Sequence, residues 1–158
     1  MARIALRTRG VRAITLADID PSRLALAASF GFEGVESGSP NMAAMQRSMN
    51  ICIDATGRAE VAGSLTNYAA DGGGVLFFGV CPPDARIEIS PFEIFRRQLR
   101  LQGTHSLKRN IPAALEAIRS YGPGIADLVS HRVGLGEIAG ILSSRASAGS
   151  LKVQAELA

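Results

Sequence analysis

The stretch Ile14-Thr15-Leu16-Ala17-Asp18-Ile19-Asp20-Pro21 ends a short apolar run on an acid and follows it with a proline. The run reads as a strand ending at Asp18. Asp20 is placed to cap a helix that Pro21 opens, with Leu24, Ala27 and Ala28 as its apolar stripe. A carboxylate at the carboxyl end of a parallel strand can accept hydrogen bonds from both hydroxyls of a ribose and repels a 2′-phosphate. Asp18 is therefore the candidate for holding the adenosine ribose of a dinucleotide, with NAD favoured over NADP. The plainer alternative is that Asp18 only caps a helix.

A carboxylate in that role lies about 20 residues beyond a G-x-G-x-x-G turn. That would put the turn near or before residue 1, and the first ten residues hold one glycine, so the phosphate-cradling loop is expected to be missing. A second cluster, Val133-Gly134-Leu135-Gly136-Glu137-Ile138-Ala139, does fit G-x-G-x-x-A, with Glu156 further on. Its strand would place His131 and Arg132 at a sheet centre, where charge is expensive to bury, and only two residues follow Glu156. It is read as a decoy. Cys52 and Cys81 sit in or beside apolar runs with no C-x-x-C spacing and no neighbouring histidine, so they read as small core residues; no metal site is expected.

These residues need a scaffold, and the pattern supplies one. With 158 residues, 47% of them hydrophobic and 20% charged, the chain has the composition of one globular domain. The aromatic content of 5%, without tryptophan, and a net charge of +3 argue against a nucleic-acid reader. The apolar runs Ala13 to Ala17, Ile51 to Ala55, Val75 to Val80 and Leu99 to His105 read as buried strands. Between them lie helical stretches at Pro21 onward, Arg58 to Ala70 and Pro91 to Arg97. Gly34 to Pro40 reads as a connector before a short helix around Met42 to Met49, and Asp71 to Gly74 as a tight turn. Helix Pro112 to Tyr121, strand Leu128 to Val133, helix Glu137 to Ser144 and strand Leu151 to Glu156 complete the alternation. The basic run Arg96, Arg97 and Arg100 is expected on a helix's solvent face or at a subunit contact. No apolar stretch approaches the roughly 20 residues of a membrane span. The arginines among the first 17 residues mimic a mitochondrial transit segment, but the strand that follows fits an ordinary helix end, and cytoplasm is expected.

The segments Ala17-Asp18-Ile19-Asp20-Pro21-Ser22-Arg23-Leu24, Ile53-Asp54-Ala55-Thr56-Gly57, Gly73-Gly74-Val75-Leu76-Phe77-Phe78-Gly79-Val80, Gly103-Thr104-His105-Ser106 and Leu151-Lys152-Val153 come in an order and spacing that resembles the zinc-dependent medium-chain alcohol and polyol dehydrogenases of the sorbitol dehydrogenase type. The resemblance covers the family's carboxyl-terminal half. It implies an incomplete α/β fold, a Rossmann-type doubly wound parallel sheet lacking its first strand and glycine turn. A truncated dinucleotide-binding domain would span 1–107, and residues 108–158 would pack on a catalytic domain that is not in this sequence. By the same resemblance Asp18 would bind the adenosine ribose with Arg23 alongside. Thr56, Gly57 and Arg58 would border NAD, and Phe78, Gly79 and Val80 would flank the nicotinamide. Thr104, His105 and Ser106 would close the cleft, and Lys152 would approach the phosphates. Gly57 and Gly79 also read, more simply, as turn glycines.

In the family the catalytic zinc is held by Cys, His and acidic ligands of the amino-terminal domain, and Cys52, Cys81, His105 and His131 match none of those positions. The expectation is a chain that binds NAD, if at all, without turning over an alcohol or polyol. With its central strand absent the sheet would be split, and orphaned apolar faces would favour a homo-oligomer or other association. Two other classes stay open. One is a non-catalytic remnant or assembly partner. The other is an S-adenosylmethionine-dependent methyltransferase fragment, against which the Asp54-Ala55-Thr56-Gly57 tip argues.

Overall fold

The computed structural model describes residues 6–7, 9–105, 110–143 and 150–157. Among these residues seven strands alternate with helices and every strand pairing is parallel. β1 (Thr15–Asp18) is followed by α1 (Pro21–Ser29), β2 (Glu33–Glu36), α2 (Pro40–Ala43), β3 (Met49–Asp54), α3 (Ala59–Tyr68) and β4 (Ala69–Phe77). Then come α4 (Pro91–Arg96), β5 (Arg100–Gly103), α5 (Ile111–Tyr121), a 3-10 turn over Pro123–Leu128, β6 (Val129–Gly134), α6 (Leu135–Ser143) and β7 (Lys152–Glu156). The strands form three separate sheets, β1-β2, β3-β4-β5 and β6-β7. The chain divides into two compact units, Met1–Ser37 with Arg109–Ala158, and Gly38–Lys108.

In the first unit β1 and α1 follow from local chemistry. Asp20 caps α1, its side chain accepting from the Ser22 amide at 2.9 Å and the Ser22 hydroxyl at 2.7 Å. Those bonds hold its carboxyl below the usual range. Pro21 takes the first helical position, where its missing N–H costs nothing. The connector expected at Gly34 to Pro40 instead begins with strand residues of β2. Its single buried apolar residue, Val35, is too weak a pattern to announce a strand. Gly34 is what lets β2 approach α1: a Cβ there would lie 3.3 Å from Leu24 Cδ2.

The second unit carries a core of Cys52, Leu65, Ala69, Val75 and Leu99, with Tyr68, Phe77, Ile94 and Leu101 packed against it. α3 therefore covers one face of the β3-β4-β5 sheet. Two expectations need correction here. The turn at Asp71 to Gly74 lies inside β4 as a ladder irregularity, the register jumping from Met49↔Ala69 to Ile51↔Gly74. Gly72 takes φ +76°, and a Cβ on Gly73 would meet the Ala70 carbonyl oxygen at 2.7 Å, so both positions demand glycine. The short helix expected to run from Met42 to Met49 covers only Pro40–Ala43, after which the chain turns.

The arginine run departs from expectation as well. Arg96 and Arg100 are exposed, but Arg97 is 5% exposed. Its guanidinium donates to Asp71 Oδ1 at 2.9 Å, to the Thr66 carbonyl at 3.0 Å and to the Ala69 carbonyl, and it lies 3.9 Å from Glu93. The end of α3 leaves carbonyls that its own helix does not satisfy, and Arg97 reaches back to take them. Arg47 also meets Asp71, at 3.3 Å, and the bonds from Arg97 and then Arg47 hold the Asp71 carboxyl below its ordinary range.

Cys52 is buried and Cys81 half-buried. Burial pushes the Cys52 thiol up to about 11. A thiol whose folded value is raised stabilises the fold below its unfolded value, and that contribution disappears as pH climbs through about 11. A disulfide exchange reagent at pH 8 is expected to label Cys81 promptly and Cys52 only on unfolding. Two thiols reacting together in the native chain would contradict the packing around Cys52.

Candidate functional site

Asp18 is the last residue of β1 and half-buried. Its Oδ1 accepts from the Asp20 amide at 3.0 Å; among the described residues no donor reaches Oδ2 and no ion pair forms. The carbonyl of Asp18 accepts from the Ser37 amide at 2.9 Å, tying the ends of β1 and β2 together. The helix cap is Asp20, so Asp18 is left at the strand tip with one carboxyl oxygen that no donor among the described residues reaches. Arg23 lies beside Asp20, at 3.8 Å, on an exposed turn. Lys152 opens β7, paired with Val129 and exposed.

The other candidates gather on the second unit at the carboxyl ends of β3, β4 and β5. Such ends form the ligand crevice of an open parallel sheet. Thr56, Gly57 and Arg58 follow β3, Phe78, Gly79 and Val80 follow β4, and Thr104 and His105 follow β5, the Thr104 amide donating to the Phe77 carbonyl at 3.2 Å. Ser106 lies outside the described residues. Arg58 is exposed and pairs with Glu60 at 3.6 Å, a solvent-screened contact. Phe78 is 53% and Val80 92% exposed, unusual for apolar side chains at a strand tip.

The residue that organises this end is Asp54, quoted in the sequence pattern but not singled out there as a site residue. It is 1% exposed. Its Oδ1 accepts from the Thr56 amide at 2.8 Å and the Thr56 hydroxyl at 2.7 Å, and Oδ2 from the Gly57 amide at 3.3 Å. The Thr56 hydroxyl in turn accepts from the Arg58 amide at 3.1 Å. The Asp54 carbonyl takes the amides of Phe78 at 3.1 Å and Gly79 at 2.8 Å. Gly57, at φ +69°, packs its main chain directly on the next tip: a Cβ there would lie 2.4 Å from the Val80 carbonyl oxygen. A Cβ on Gly79 would lie 2.3 Å from the Gly57 nitrogen and 2.7 Å from Asp54 Oδ2. These glycines are turn residues, and also contact residues whose missing side chains let two strand tips touch. The signal in the sequence is an aspartate followed two residues later by threonine and then glycine, the spacing of a side chain folding back on its own turn.

The metal-binding residue types do not assemble. Among the described residues no three of His, Cys, Asp and Glu come together as a cation site. Cys52 is a buried, neutral thiol, and His131 stands exposed on β6 with its Nδ1 2.9 Å from Ser130 Oγ. These residues do not fit a zinc ion. The glycine cluster at the start of α6 is closed as well. Glu137 Oε2 accepts from the Gly134 amide at 2.9 Å, so the helix's own carboxylate stands where a phosphate would. His131 and Arg132, which a second nucleotide turn would have put at a sheet centre, are exposed in a two-stranded sheet, with Arg132 paired to Glu156 at 3.0 Å.

Parallel strands alternating with helices, with glycine-lined tips on the β3-β4-β5 sheet, define the α/β class of folds, and comparison with known proteins narrows it. Residues 1–120 match the family model of the zinc-binding dehydrogenases, and the chain belongs to that family. It is 47% identical over 152 residues to the D-altritol 5-dehydrogenase of Agrobacterium fabrum strain C58, which covers 96% of this chain and 45% of that protein. A solved structure from Sinorhizobium meliloti 1021, titled as a zinc-binding dehydrogenase bound to NADP, aligns at TM-score 0.81 and 27% identity over 96% of this chain and 47% of its own. The 2R,3R-butanediol dehydrogenase of Bacillus subtilis aligns at TM-score 0.80 and 18% identity over 98% of this chain and 47% of its own, a likeness of fold alone. The fold is thus the Rossmann type, and the methyltransferase reading falls. The chain spans about half the length of the relatives it matches. No helix among the described residues is long and apolar enough to cross a membrane.

Proposed function

We propose that this chain is the NAD-holding half of a polyol dehydrogenase, the half that presents the nicotinamide for hydride transfer from a secondary alcohol of a small polyol. The observation that carries this reading is the 47% identity to a D-altritol 5-dehydrogenase across nearly the whole chain. The strand-tip crevice supports it. In this reading Asp18 takes the ribose hydroxyls through its open oxygen, with Arg23 alongside. Thr56, Gly57 and Arg58 border the cofactor, Phe78, Gly79 and Val80 flank the nicotinamide, Thr104, His105 and Ser106 close the cleft, and Lys152 approaches the phosphates. NAD is preferred over NADP because a 2′-phosphate would meet the Asp18 carboxyl, and the neighbouring Arg23 is drawn to Asp20.

The described residues supply no zinc set, and no step of the reaction is assigned to this chain beyond binding and orienting the cofactor. In the same reading 1–107 is the dinucleotide-binding part and 108–158 packs on a catalytic part. Ile111 on α5 is 71% and Leu142 on α6 81% exposed, in keeping with surfaces made for a partner. Purified alone, the chain would self-associate through them as a homo-oligomer, and its cellular setting is the cytoplasm.

Calorimetry on the chain alone tests this. The expected result is NAD binding weaker than about 100 μM, on the scale at which a few polar contacts act without a phosphate cradle, with no polyol oxidation. Sub-micromolar affinity accompanied by turnover would overturn the division of labour.

A further inference from the structure

We propose that Asp54 is a positioning residue for the cofactor crevice, fixing the Thr56–Arg58 turn against the Gly79–Val80 tip while leaving the sheet beneath independent of it. The proposal rests on the dinucleotide reading above and adds a role for a buried acid that touches no ligand in it. The acid has no cationic partner among the described residues. The three donors that reach it among the described residues come from the turn immediately after it. The core of the sheet is held by other means, Cys52, Leu65, Val75 and Leu99 packing without help from the acid.

Geometry says what the acid accomplishes. Gly57 and Gly79 meet main chain to main chain, and no side chain fits between them. Their contact has no interlocking side chains to hold it, so a small slide of the turn would open it. The three bonds from Thr56 and Gly57 to Asp54 block that slide, because the turn cannot shift without leaving a carboxylate that is itself shielded from water short of its donors. The crevice wall is then preformed bare backbone, and a cofactor need not order it on binding.

The variant Asp54→Asn keeps the volume but gives one acceptor oxygen an NH2 that must face an amide or hydroxyl hydrogen whichever way it turns. The test follows amide hydrogen exchange and NADH titration by NMR on the full chain and the variant. Thr56 and Gly57 amides are expected to exchange at least about tenfold faster in the variant, the equivalent of roughly one lost hydrogen bond, while Val75 and Leu76 keep their protection. NADH affinity should fall by about the same factor. Unchanged exchange at Thr56 and Gly57 overturns the proposal, as does unchanged NADH affinity. Lost protection at Val75 and Leu76 overturns it too, since Asp54 would then hold the fold as a whole. If the parent chain shows no NADH-induced shift at all, the dinucleotide reading fails, and the exchange rates still decide whether Asp54 locks the turn.

Discussion

Replacing Arg97 by methionine is expected to cost the Gly38–Lys108 unit about 2–6 kcal/mol, a figure set by one buried and one half-buried carbonyl group losing their donor at roughly 1–3 kcal/mol each. The apparent ion pair with Asp71 is not the main source. Asp71 is 67% exposed and regains water when the guanidinium leaves. Ala69, by contrast, is 0% exposed, and its carbonyl has no solvent to turn to. Methionine keeps the apolar length of the arginine stem, so the loss comes mainly from the hydrogen bonds, with a smaller part from the space the guanidinium leaves. Urea denaturation would register the change as a lower midpoint with the same slope. Asp71→Asn should be far milder at neutral pH. Its effect should shrink further in acid, because a carboxyl whose folded value is depressed stabilises above its unfolded value and loses that contribution as pH falls through the folded one. If Asp71→Asn proved as damaging as Arg97→Met, the carbonyl account would be wrong.

Alanine at Gly57 or Gly79 should be comparably severe for a different reason. A methyl at Gly57 would lie 2.4 Å from a carbonyl oxygen on a residue already at φ +69°, and a methyl at Gly79 would lie 2.3 Å from a main-chain nitrogen. Neither neighbour is the end of a flexible side chain. Overpacking of that kind typically costs about 1–3 kcal/mol, and the left-handed backbone at Gly57 adds roughly 1–2 kcal/mol. Gly103, where a Cβ would meet nothing within 4 Å, is the control: Gly103→Ala should be nearly neutral in the same denaturation series. Equal effects at all three positions would mean that the strand tips do not touch as described.

What the sequence disclosed and what it concealed follow from the range of the interactions concerned. The Asp20 cap and Pro21 start were legible because capping spans two or three residues. The strands through Cys52, Val75 and Leu101 were legible because they are buried within one sheet and read as apolar runs. β2 was not, since Gly34 matters only through its distance to Leu24 on another element. Arg97 looked like one of three surface arginines because its carbonyl partners lie 28 and 31 residues earlier in the chain. At the site, glycine at 57 and 79 was visible and its reason was not. Each admits the other's backbone, a relation between residues 22 positions apart that no local pattern encodes.

The decisive measurement is an NMR titration of the isotopically labelled chain with NADH and, in parallel, with NADPH. The account predicts that NADH shifts the amides of Asp18 and Ile19 together with those of Thr56 to Arg58 and Phe78 to Val80, and that NADPH shifts them more weakly because its extra phosphate meets Asp18. Equal or stronger binding of NADPH, or shifts that spare both the tip of β1 and the tips of β3 and β4, would contradict it.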